Sequence, residues 1–360
     1  MKLKLKLIFI FVLGLFANLI SFAQNKDLSK QINEANSLVY NDPDKAISQA
    51  NILLKNIKKE DISNRINIYL VLGGAFSTKE KHYEALNFGF EAYDLVKNTN
   101  YNTEQIKALG FIANQYYILQ MDDKVGYYLD NSEKIIAQKP LNDSLNYLAA
   151  NIYILQAIRY KDKLDCDFAI NYFDKSLKAY KSANYKNSKF NLPIIYIQKA
   201  YCFYDLNQLE LAKKNFEDAY NIAIKSDNEY AKSYALIGLA MVLTKNGQYQ
   251  QSNDSLEKVK NNFNSQTSLG LQLETYSALT ENYYKLENQN AYLKSADLLK
   301  KTIHLNDSVN TSSIEKILED QHQNMNEIYE KSVFNRICAI AFGVTFILLM
   351  VFLIFFRQKK

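Results

Sequence analysis

Residues 196–219 read YIQKAYCFYDLNQLELAKKNFEDA, and the order of sizes in this stretch decides the fold. Tyr196, Ala200 and Phe203 fall on one helical face, and Ala212, Phe216 and Ala219 fall on another. Spacings of three and four residues place such sets in register on amphipathic helices. The small members let two helix backbones approach, and the large ones fill the space between layers. Tyr69, Leu72, Gly73, Phe76, Ala85 and Ala92 repeat the pattern further upstream. A pattern that recurs in this way marks a helical solenoid rather than one closed core.

Aligned on the small residue early in each second helix, the units fall at Ala46, Ala85, Val125, Ala169, Ala212, Ser252 and Ser295, spaced by 39 to 44 residues. The first helices carry Gly73, Ala113, Ala157, Ala200, Ala240 and, more weakly, Thr280. Three positions after each of these comes a large residue: Phe76, Tyr116, Tyr160, Phe203, Leu243 and Tyr283. Asn246-Gly247-Gln248-Tyr249 has the chemistry of a tight turn between antiparallel helices, with glycine free to go left-handed. With 10 Gly and 3 Pro in 360 residues and no sustained alternation, a sheet is not expected.

These residues resemble the tetratricopeptide repeat (TPR) family, and the match covers about seven units. The period is near 40 rather than the family's 34, the end units are degenerate, and the proline expected after each second helix is mostly missing. The resemblance implies an all-α solenoid of about seven helix pairs, with first helices lining a concave groove that binds peptide or protein segments. Carried over by position, that groove holds Asn67, Ser77, Lys107, Asn114, Tyr117, Asn151, Tyr201, Tyr204, Tyr234 and Tyr284. Tyrosine offers contact area at low entropic cost, and asparagine can bond an extended backbone. The competing reading is that several of them only pack between units, since the chain has 27 tyrosines.

The ends suggest export and anchoring. Lys2, Lys4 and Lys6, the apolar run 7–20, and Ser21 and Ala23 read as a signal peptide over 1–23, cleaved after Ala23; an uncleaved anchor is the rival. The repeats occupy 24–310. Residues 311–335 read as a juxtamembrane helix, where Ile314, Leu318, Gln321, Met325 and Ile328 form a short heptad seam or one face of a solvated connector. Residues 336–356 read as a transmembrane helix, uncharged from Ile337 to Phe356, and 357–360 as a cytoplasmic tail. The expected localisation is therefore the inner membrane, single-pass, with the repeats on the periplasmic side. Ala339 and Gly343 permit close helix approach, and with the seam they suggest a homodimer through 314–343.

Composition argues against several functions. The net charge of +5 comes from three lysines in the leader and three cations in the tail; without them cations and acids balance to within one. No nucleic-acid partner is expected of such a chain. His82, His304 and His322 lack partners at metal-ligand spacing, so no metal is expected, and His82 reads as a surface residue. There is no phosphate loop, nucleophile elbow or metalloprotease motif, hence no cofactor and no catalytic residue is expected. Cys166 and Cys202 read as two free buried thiols. Asn142-Asp143-Ser144, Asn253-Asp254-Ser255 and Asn306-Asp307-Ser308 read as helix caps, or as Asp-Ser-aliphatic O-glycosylation sites. The expectation is a non-enzymatic, membrane-anchored peptide-binding scaffold. The alternative is the sensor half of a signalling protein whose output domain is absent from this chain.

Overall fold

The computed structural model describes the backbone of residues 28–139, 141–163, 165–183, 188–264 and 267–357. The side chains of 188–190, 321, 324–330, 332, 333 and 336–357 lie outside that description. Among the described residues there are no strands, a single-turn 3-10 helix at Asp143–Leu145 and fourteen α-helices. They are α1 (28–37), α2 (Pro43–Asn56), α3 (Ile62–Thr78), α4 (His82–Asp94), α5 (Asn102–Ile118), α6 (Asp122–Gln138), α7 (Asn146–Lys163), α8 (Cys166–Ala183), α9 (Ser188–Asp205), α10 (Leu209–Lys225), α11 (Glu229–Lys245), α12 (Tyr249–Lys260), α13 (Leu269–Lys285) and α14 (Gln289–Arg357).

Consecutive helices pair into seven hairpins, as the repeat requires. The small residues of the second helices are all buried, from Ala46 at 0% exposure to Ser295 at 4%. Ala113, Ala157, Ala200 and Ala240 of the first helices are also at 0%, whereas Thr280 is only half-buried. At Gly238 the requirement is strict, because a methyl group there would overlap the Phe216 ring of α10. The long period has a simple origin. First helices run to 17 or 18 residues, as in α3, α5, α7, α9, α11 and α13.

The turn inside five of the seven hairpins recurs in register. Glu80, Gln120, Asn207, Gly247 and Glu287 all have left-handed backbone, with φ between 57° and 76°. One residue later, the N–H of Lys81, Met121, Gln208, Gln248 or Asn288 donates back to the carbonyl of Phe76, Tyr116, Phe203, Leu243 or Tyr283. This double-bonded C-terminal motif satisfies carbonyls that the helix end leaves free. Glycine is the usual occupant of the left-handed site, yet only Gly247 supplies it here.

The chain divides into two compact units, Met1–Asn310 and Thr311–Lys360. The first is the solenoid. In the second, α14 carries the backbone on to Arg357. Among the described residues no helix is long and apolar enough to cross a membrane, which corrects the expected inner-membrane localisation and its periplasmic and cytoplasmic sides. The physical reason is that described α14 is interrupted by charge, at Lys294, Asp297, Lys300, Lys301, Asp307, Glu315, Lys316, Glu319 and Asp320. The apolar run Ile337–Phe356, the Ala339 and Gly343 pair, and seam members Gln321, Met325 and Ile328 lie outside the described side chains, as does the leader 1–23 outside the described residues. Within the seam, Leu318 is 53% exposed while Ile317, off the heptad register, is buried.

Three smaller expectations are revised. His82 is buried at 2%, not on the surface, because it opens α4 beneath the turn and its Nε2 lies 3.2 Å from the Glu80 carboxylate. Asn253 and Asn306 stand inside α12 and α14, where no helix start exists to be capped, and Asn142 makes no side-chain cap bond. Cys166 and Cys202 are free and buried in one apolar cluster, as expected, and burial pushes both thiols up.

Candidate functional site

The first helices present their inner face in three registers, counted from the small residue. Six positions before it come Asn67, Lys107, Asn151, Ile194, Tyr234 and Glu274. One position after it come Asn114, Tyr201 and Glu281, among others. Four positions after it come Ser77, Tyr117, Lys161, Tyr204, Thr244 and Tyr284. The rows are separated by seven and three residues, close to whole helical turns, which keeps all three on one stripe.

The middle of this stripe gathers a cluster. The Tyr201 hydroxyl donates to Glu274 Oε2 at 2.6 Å, a bond between residues 73 apart, passing from α9 to α13 over α11. Tyr234 of α11 packs its ring 4.7 Å from Tyr230, and its hydroxyl points at Gly270 of α13. Lys161 of α7 donates to Gln198 at 2.9 Å and lies 5.7 Å from the Tyr201 ring centroid. Beside it, Tyr117 donates to Asp162 at 3.0 Å. Burial pushes Tyr201, Tyr234 and Tyr117 above the ordinary phenol value, and nearby carboxylates add to the effect. Burial also raises the Glu274 carboxyl, opposed by the Tyr201 hydrogen bond and Lys161.

The remaining expected groove residues divide. Lys107 donates to Asn67 at 3.1 Å, joining neighbouring pairs along one register, and burial lowers its pKa. Lys245 sits 5.3 Å from the Tyr204 ring centroid. Ser77 and Asn114 are half-buried on the stripe. Tyr284, 65% exposed, pairs with Tyr292 of α14. Asn151 is spent on structure: its carbonyl oxygen accepts from the Tyr180 hydroxyl and, at 2.9 Å, from Asn191. Glu274 and Lys161 were missed by sequence reasoning, although they share registers with residues that were selected. Tyr230 and Tyr40 were also missed, and they lie at a helix start and in a turn, outside those rows.

The solenoid also meets itself. Tyr40, in the turn of the first pair, stacks on Tyr230 at 6.1 Å, near the start of the sixth. Glu80, in the turn of the second pair, accepts the backbone N–H of Leu269 at 3.0 Å, at the start of the seventh. A carboxylate at a helix N-terminus meets both a free donor and the positive end of the dipole.

No protein-family model matches the chain, and no curated protein matches it in sequence. Solved structures do match. A Rap conjugation gene regulator of plasmid pLS20 with the Phr* peptide has a TM-score of 0.57 at 16% identity, covering 80% of this chain and 75% of that one. NprR with its cognate peptide NprX gives 0.54 at 16%, covering 82% and 83%. The apo form of RapI gives 0.54 at 13%, covering 81% and 99%. The likeness is one of fold. At these identities it establishes a TPR-like helical solenoid and nothing finer.

Proposed function

We propose that the solenoid is a binding scaffold that takes a peptide segment of a partner on its inner face, with no reaction of its own. The observation that carries this reading is the convergence of Tyr201, Tyr234 and Glu274 from three successive first helices onto one stripe. The side chains there are phenols, amides and isolated charges, which suit an extended backbone with a few side chains. Two structural neighbours of the same architecture were solved with bound peptides, which supports the reading by analogy.

Selection of a random hexapeptide library on the full chain tests it. A photocrosslinking phenylalanine analogue at Tyr204 or Asn114 should capture the selected peptides. The same analogue at Phe168, 56% exposed on second helix α8, should not. Replacing Tyr201 and Tyr204 together by Ala should abolish capture while far-UV circular dichroism stays unchanged. Crosslinks confined to Phe168 would place the binding surface elsewhere and defeat the reading.

A further inference from the structure

Glu274 is the group whose surroundings are hardest to explain by packing alone. One carboxylate oxygen takes the Tyr201 hydroxyl, and among the described residues no basic side chain pairs with either oxygen. Lys161 is near enough to favour the charged form, but it is held by Gln198. Two further phenols, Tyr230 and Tyr234, are close enough to feel its charge. Tyr230 and Tyr234 are tilted at 50° to each other, and Tyr40 closes over Tyr230. Burial raises Tyr230 to about 12, and the Glu274 charge contributes to the upward shift of both Tyr230 and Tyr234. Tyr40 and Tyr230 nevertheless remain 67% and 42% exposed, so a ligand can reach the rings.

A partly desolvated carboxylate that takes a phenol hydroxyl, beside exposed tyrosine rings, suits one kind of ligand chemistry. Aromatic faces are the negative end of the ring quadrupole and attract cations. A buried carboxylate is costly until a partner of opposite charge arrives. An anion would meet the same carboxylate as a repulsion. We infer that Tyr201, Tyr230, Tyr234 and Glu274 form a cation subsite, taking the guanidinium or ammonium group of a basic residue in the bound peptide. The inference rests on the peptide-binding reading for its ligand, but its chemistry can be tested apart from it.

Peptides selected on the full chain should carry Lys or Arg at one fixed position. Glu274→Gln retains an acceptor for Tyr201, and it should weaken those peptides by roughly tenfold to a hundredfold, the loss of one charge-assisted bond. Replacing the peptide's Arg by citrulline should cost as much on the wild type and little on Glu274→Gln. Acetylating the peptide N-terminus distinguishes a terminal ammonium from a side chain. Tyr230→Leu, which also removes the stacking on Tyr40, should weaken binding, whereas Tyr230→Phe, which keeps the ring, should not. Arginine amide, titrated against tyrosine emission, is the second arm. If no peptide is selected but arginine amide binds in a Glu274-dependent way, the cation subsite stands and the peptide reading falls. Selected peptides that lack a basic residue, or basic ligands that bind Glu274→Gln as tightly as wild type, overturn the subsite.

Discussion

Replacing Glu80 by Gly sets two local effects against each other, and the turn of the next pair supplies the control. Glu80 and Gln120 occupy the same repeat position, and each has φ of 58°. A residue with Cβ in that conformation carries a penalty of about 1–2 kcal/mol. Glycine removes the penalty but costs about 0.5–1 kcal/mol in chain entropy. Gln120 is exposed, so Gln120→Gly should stabilise by roughly 0.5–1 kcal/mol. Glu80→Gly gains the same and loses the bond to the Leu269 N–H at 3.0 Å. A charged hydrogen bond is worth about 1.5–3 kcal/mol. The Glu80 side chain is 25% exposed, which points to the lower half of that range. His82, at 2% exposure, loses its carboxylate neighbour as well. The variant should therefore be destabilised by about 1 kcal/mol, some 1.5–2 kcal/mol below Gln120→Gly. Urea unfolding followed by tyrosine circular dichroism measures both. Amide hydrogen exchange adds a spatial reading, because Glu80→Gly should lower protection at the start of α13, which is 189 residues away. If the two glycine variants gain equally, the contact contributes nothing and the reasoning fails.

Gly238→Ala should destabilise by about 1–3 kcal/mol, since its methyl meets the Phe216 ring and the α10–α11 layer must open; an unchanged melting midpoint would show that the layer yields freely. Burial raises the Glu274 carboxyl, so between its ordinary value and the raised one the folded state binds more protons than the unfolded state, and stability falls as pH rises through that window. The phenols of Tyr201, Tyr230 and Tyr234 and the Lys161 ammonium face this group. Glu274→Gln should flatten that part of the stability–pH curve and be the more stable form at neutral pH; equal slopes in the two proteins would contradict the desolvation argument.

The repeat was legible because it rests on volume. Ala200, Ala212 and Gly73 must be small wherever backbones meet, and no later fact about the fold changes that. The stripe was legible for the same reason, since helical spacing fixes which positions share a face. Glu274 and Lys161 could have been found by filling each register completely instead of choosing phenols and amides from it. The Tyr201–Glu274 bond could not, because it depends on the superhelical curvature that brings α9 within reach of α13. Asn151 shows the opposite failure: its register is correct, but Tyr180 and Asn191 consume its acceptor, and spacing carries no record of that. The Asn-Asp-Ser stretches at Asn253 and Asn306 were misread because a cap is defined by where a helix begins. Asn253 lies within α12, where it accepts from Asn282 in a buried network with Ser252 and Thr244.

The two contacts at which the solenoid meets itself have the same offset. The turn of the first pair touches the start of the sixth, and the turn of the second touches the start of the seventh. A regular superhelix demands this: if one pair meets another five pairs on, the next pair must do likewise. The third turn, at Gln120, would then meet the start of an eighth pair, and the described residues form seven. This accounts for the exposure of Gln120 and for its use as the control for Glu80. It also bears on how the inner face is held. In an open solenoid each pair is stabilised only by its neighbours, so the ends fray independently of the middle. Contacts across five pairs couple the first two hairpins to the last two, and thus fix the curvature that brings Tyr201, Tyr234 and Glu274 together. Loosening the Glu80 contact should therefore be felt at the Glu274 cluster, although Glu80 is no part of it.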